Sequence, residues 1–156
     1  MWAELAEEIR VELLQLCRLL SEHERLLAQP EARMGDPEAA LVVAAILHSF
    51  YTGVEGIFSR VAKRIDGHMP SGEAWHRDIL DAMARPTAGR PALISSPLRD
   101  SLEDYLRFRH FFRHAYSFVI EMSEVAPLAR KCSWCLTQLD RELGDFLNRL
   151  PPEKGK

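Results

Sequence analysis

At 156 residues, 47% hydrophobic and 28% charged, the chain is long enough for one domain with a buried core and too apolar to be disordered. Its formal net charge of −3 excludes a surface that is basic all over, but not a local cleft in which arginines cluster.

The first predicted helix runs from Trp2 to Ala28. Leu5, Ile9, Leu13, Leu16 and Leu20 recur every three or four residues with charged residues between them, the pattern of one apolar stripe. Pro30 and Gly35 close the stretch. The second helix opens at Asp36-Pro37-Glu38: a capping acid, a proline at the first helical position and a carboxylate suited to the helix dipole. It continues through Phe50, Val54, Phe58 and Ile65 to a stop at Gly67. Its first half is apolar nearly all round, which predicts the central buried helix. Gly53 and Gly56 cost helix propensity there, and close approach of a neighbouring helix is the expected compensation.

A shorter helix is expected from Ser71 to about Ala84, with Trp75, Ile79, Leu80 and Met83 inward. Residues 85–97 hold three prolines, a glycine and two serines and read as an irregular but ordered loop. Ser96-Pro97 caps a fourth helix through Leu102, Tyr105, Leu106, Phe108 and Phe112. The last helix is expected to begin near Ser123 or at Ala126-Pro127 and to stop at Pro151-Pro152. Strand alternation is absent. The prediction is an all-α, up-and-down bundle of four main helices with an additional short helix, one domain over 1–150 followed by a polar tail at 151–156.

Three cysteines form no disulfide framework, so the cytoplasm is the expected compartment. The acidic, amphipathic N-terminus lacks the pattern of a signal peptide. The longest nearly uncharged run, Ala39 to Val54, is too short and too interrupted by His48, Ser49 and Tyr51 to predict a membrane span.

Chemistry concentrates in Arg107-Phe108-Arg109-His110-Phe111-Phe112-Arg113-His114-Ala115-Tyr116. Arginine binds phosphate through a planar fork, and histidine exchanges protons near neutral pH. At about 100° per residue, Arg107, His110 and His114 share nearly one helix face. Arg109 lies well round from His114 unless the helix breaks near residues 112–114, so two arginines compete for one role. The functional reading is RNA cleavage by internal transesterification. His114 would act as general base or acid at the ribose 2′-hydroxyl, and Arg109 would hold the scissile phosphate. Tyr116 would hydrogen-bond the phosphate or stack on a base. Arg107, His110 and Arg113 would bind or support the RNA. The opposing reading is a solvated, dipole-favoured cationic helix end.

Arg109-x4-His114-x-Tyr116 resembles the Arg-x4-6-His signature of the HEPN superfamily, in the form carried by HepT toxins. The residue after the arginine is typically polar in that family and is His110 here. The segments 50–58, 67–76 and 108–118 also look like HepT-like proteins, and the resemblance spans roughly Glu8 to Leu150. It implies a metal-independent endoribonuclease toxin, without cofactor, acting as a homodimer whose motifs face each other across a basic cleft. It further implies a nucleotidyltransferase-type antitoxin, which in some pairs adds AMP groups to the motif tyrosine, here Tyr116. Arg107, at wider spacing from His114, also satisfies the looser motif. A catalytically silent helical adaptor that binds a nucleotidyltransferase is the alternative.

Other features are weaker. Cys132-x2-Cys135 lacks a second pair and reads as core packing rather than zinc. His68 and His76 flank a turn, and a metal site there is disfavoured. Glu55, a carboxylate on an apolar face, needs a partner, which an arginine or histidine of the motif could supply as support to the site; the opposing reading is a solvated or Arg60-paired glutamate. Trp2, Trp75 and Trp134 read as core or dimer interface rather than RNA-stacking platforms.

Overall fold

The structure, a computed structural model, describes residues 2–114 and 120–150, and among them it is all helical with no strand. Helix α1 (Trp2–Glu22) buries the anticipated stripe of Leu5, Ile9, Leu13, Leu16 and Leu20. The helix expected to run to Ala28 breaks at His23, whose backbone (φ −121°, ψ 22°) is not helical. The short α2 (Glu24–Ala28) follows. The break re-aims Leu27, which becomes the buried residue of α2, and α2 packs on the last helix.

A 3-10 turn (Pro30–Arg33) and Gly35 at φ +82° lead to α3 (Pro37–Val61). Asp36 caps α3 by accepting a hydrogen bond from the Ala39 amide at 3.1 Å, as the sequence anticipated. A π-turn (Ala62–Asp66) prolongs α3 to Gly67, which ends it at φ +68°. By length and composition, Pro37–Asp66 is also long and apolar enough to cross a membrane, and more than half of its most apolar stretch is buried within the bundle. It packs against α1, α4 (Trp75–Met83), α5 (Ser96–His114) and α6 (Met122–Arg149).

The structure corrects several boundaries. The helix expected at Ser71 starts at Trp75, because Gly72 sits in left-handed backbone at φ +98° and the chain turns there first. Of the two starts expected for the final helix, the one near Ser123 holds: α6 begins at Met122, and Pro127 lies inside its opening turns. The loop between α4 and α5 is ordered by Arg90. Its buried guanidinium donates to Asp66 at 2.7 and 2.9 Å and to the carbonyls of Arg85, Pro91 and Ala82.

The core is filled by Phe50, Tyr51, Phe58, Tyr105 and Phe146 rather than by tryptophan. Trp2 and Trp75 are half-buried. Trp134 is 45% exposed, so the core reading fails for it. Cys132 and Cys135 are buried free thiols, as core packing predicts. The two α3 glycines differ. A Cβ on Gly53 would stand 2.6 Å from Leu16 Cδ2, so α1 does approach closely there, but a Cβ on Gly56 would meet nothing within 4 Å. Helix approach therefore accounts for Gly53 and not for Gly56.

Candidate functional site

On α5 the buried face is Leu98, Leu102, Tyr105 and Leu106. Arg109 comes four residues after Tyr105 and continues that stripe, so a cation is carried toward the core. Across from it, α3 carries Glu55, which is buried one turn beyond Tyr51. Arg109 Nη1 donates to Glu55 Oε1 at 3.1 Å, with the two side chains 12% and 7% exposed. The expected pairing of Glu55 with a motif arginine is thus present. Arg60 pairs instead with Glu8 at 2.9 Å. A buried carboxylate is stable only with such partners.

A third helix completes the cluster. His76, in the first turn of α4, places Nδ1 2.7 Å from Glu55 Oε2 and 3.1 Å from Arg109 Nη1. An ionised carboxylate only accepts, so Nδ1 carries the proton and donates it to Glu55. The Nη1 contact is then packing. Trp75 stacks on the His76 ring, with centroids 3.7 Å apart. Tyr51 also reaches this region. Its hydroxyl is buried and has no hydrogen-bond partner among the described residues. Burial first, and then the Glu55 charge, push its phenol well above the usual range. Arg109 Nε is likewise buried, with no hydrogen-bond partner among the described residues.

The outer face of α5 is different in kind. Arg107 is 66% exposed and donates to Glu103 at 3.1 Å. Glu103 also pairs with Arg77 of α4 and with Arg99, and these hydrogen bonds hold its carboxyl down at about 2. Arg113 is exposed. The rings of His110 and His114 stack at 4.4 Å. His114 Nδ1 lies 2.9 Å from the His110 carbonyl. A carbonyl oxygen only accepts, so Nδ1 holds a proton, and Nε2 is the lone-pair nitrogen of the neutral ring. Helix α5 runs unbroken to His114, so no break brings Arg109 and His114 onto one face. Arg109 and His114 stand about 140° apart round the axis. They nonetheless share a cleft of about 350 Å³ between α4 and α5, lined also by His76, Arg107, His110 and Arg113.

Tyr116, expected beside the phosphate and as a modification site, lies outside the described residues. Two further residues belong here that sequence reasoning did not assign. His48 of α3 contacts the Phe112 ring at 5.3 Å. Burial, then the charges of Arg109 and Arg113, depress its proton affinity. The sequence presents His76 only as a disfavoured metal ligand. Its signal was legible, since it lies three, four and seven residues before Ile79, Leu80 and Met83 and so on the inward face of α4. Among the described residues no group of three or more His, Cys, Asp or Glu is placed to hold a metal ion.

A family model described as HepT-like protein matches residues 42–150, from within α3 to the end of α6. No curated protein and no solved structure matches the chain. The match covers more than half of the 156 residues and takes in Glu55, His76 and the whole arginine–histidine segment. The chain belongs to the HepT-like family of the HEPN superfamily.

Proposed function

We propose that this chain is a metal-independent endoribonuclease toxin that cuts RNA by internal transesterification. The observation that carries the reading is the shared cleft, in which a carboxylate-anchored Arg109 lies beside His114. In the reaction the 2′-oxygen attacks phosphorus and its proton passes to a base. The bond from phosphorus to the 5′-oxygen breaks, and a proton is delivered to that leaving oxygen. Nε2 of His114 suits the first transfer, because its other ring nitrogen is occupied by the His110 carbonyl. Arg109 offers its guanidinium to the charge that builds on the phosphate oxygens, while Glu55 fixes its orientation. Arg107 and Arg113, on the exposed face, would grip neighbouring phosphates.

The same reading includes partners. Two copies facing each other would gather six arginines in one basic cleft on an otherwise acidic chain. A nucleotidyltransferase-type antitoxin would neutralise the toxin by adding AMP to Tyr116, and the pair would act in the cytoplasm. Purified protein should cleave RNA in EDTA and leave 2′,3′-cyclic phosphate or its opened product. His114→Ala should lower the rate by about 10²–10⁴ and relieve growth arrest on expression alone. Activity restored only by a divalent cation would move the assignment to a metal nuclease. Equal rates for the wild type and His114→Ala would remove His114 from the chemistry.

A further inference from the structure

Transesterification needs two proton transfers, and the arginine–histidine segment of α5 offers one ring with an orienting bond. His110 does not supply the second. Its ring is held by stacking on His114 at 4.4 Å, and among the described residues no hydrogen bond fixes which of its nitrogens carries the proton. The candidate comes from another helix. We infer that His76 of α4 is the second proton-transfer group, acting as the general acid that protonates the departing 5′-oxygen. The inference rests on the ribonuclease reading above.

Three observations carry it. First, the Glu55 carboxylate holds the His76 Nδ1 proton at 2.7 Å, which leaves Nε2 as the only ring nitrogen that exchanges a proton. A carboxylate fixing one ring nitrogen so that the other does the chemistry is the arrangement by which an imidazole is oriented in acid–base sites. Second, His76 lines the same cleft as Arg109, Arg107, His110 and His114, and its side chain is 26% exposed. The ring is held from within and open on one side. Third, Glu55 accepts from His76 through Oε2 and from Arg109 through Oε1. One carboxylate thus sets both the phosphate-binding guanidinium and the acid beside it. Trp75, stacked on the His76 ring, limits the ring's rotation.

The proton balance is explicit. His114 Nε2 takes the 2′-hydroxyl proton as the new bond from 2′-oxygen to phosphorus forms. His76 Nε2–H gives its proton to the 5′-oxygen as the bond from phosphorus to that oxygen breaks. Each ring ends one proton away from its starting state, and exchange with water restores both. The two transfers use side chains of one protomer, so a facing copy is needed for charge and grip rather than for the acid.

Two substrates test this. A ribodinucleotide has an alkoxide leaving group that needs an acid. A 3′-(p-nitrophenyl) ester of a ribonucleotide has a leaving group that departs without one. His76→Ala should lower kcat on the dinucleotide by about 10²–10⁴ with little change in KM, and leave the nitrophenyl ester near the wild-type rate. The alkaline limb of the dinucleotide pH profile should disappear. His76→Asn retains a donor at the Nδ1 position toward Glu55 but has no proton to give. It should behave as His76→Ala does, with a melting temperature close to wild type. Equal losses on both substrates, no loss on either, or full dinucleotide activity in His76→Asn would each overturn the inference while leaving the ribonuclease reading in place. A wild-type protein that cleaves neither substrate would overturn both.

Discussion

Arg107 and Arg109 are two residues apart and meet different physics. Arg107 stands 66% exposed over Glu103, and such a pair is worth about 0–1 kcal/mol because water screens it. Arg109 is 12% exposed against a Glu55 that is 7% exposed. Deleting it leaves a buried carboxylate with one remaining partner, His76. We therefore expect Arg109→Ala to lose about 1–3 kcal/mol of stability and about 10²–10³ in cleavage rate. Arg107→Ala should unfold like the wild type and lose far less rate. Urea unfolding and initial rates on one RNA would measure both. A larger rate loss for Arg107→Ala would exchange the roles of the two arginines.

At the level of elements, the site depends on three helices keeping register: α3 supplies Glu55, α4 supplies His76 and α5 supplies Arg109 and His114. The ion pairs of Glu103 with Arg77 and Arg99, and of Arg99 with Asp81, tie α4 to α5 beside the cleft. The position of α3 is set partly by its contact with α1 at Gly53. Alanine is the better helix former by about 0.8–1.0 kcal/mol, so both α3 glycines invite replacement on propensity alone. Gly56→Ala should raise stability by about 0.4–1 kcal/mol, because its Cβ meets nothing within 4 Å. Gly53→Ala should fall below it by about 1–3 kcal/mol, since its Cβ would press on the buried Leu16 at 2.6 Å. Thermal melts of the two single variants decide the matter, and equal stabilisation by both would contradict the packing described for α1 on α3.

For the whole molecule, the net charge of −3 sets a problem for any RNA enzyme. The potential that attracts a polyanion must come from one face, and the cleft between α4 and α5 concentrates Arg77, Arg107, Arg109 and Arg113. A two-fold axis near α5 would double that charge. The expected result is about twice the chain mass by light scattering at micromolar concentration, with cleavage falling on dilution below the dimer range. A monomer that cleaves at full rate would show that one cleft is sufficient.

Much of this was legible in the chain as written. The stripe of α1, the Asp36 cap, the Gly67 stop and the Ser96 start each follow from local propensity and periodicity, which short-range sterics and hydrogen bonding decide. The segment from Arg107 to His114 identified itself by residue type and spacing. The break at His23 and the turn at residues 71–74 were not legible, because packing moved those boundaries against weak local signals. Sequence leaves Glu55 with a motif arginine, a motif histidine, Arg60 or solvent, and only the fold chose Arg109 over Arg60, since Arg60 faces Glu8 on α1. His76 sits 21 residues from Glu55 and 33 from Arg109. No helical period spans those separations, so a carboxylate shared by an arginine and a histidine exists only once α3, α4 and α5 pack together.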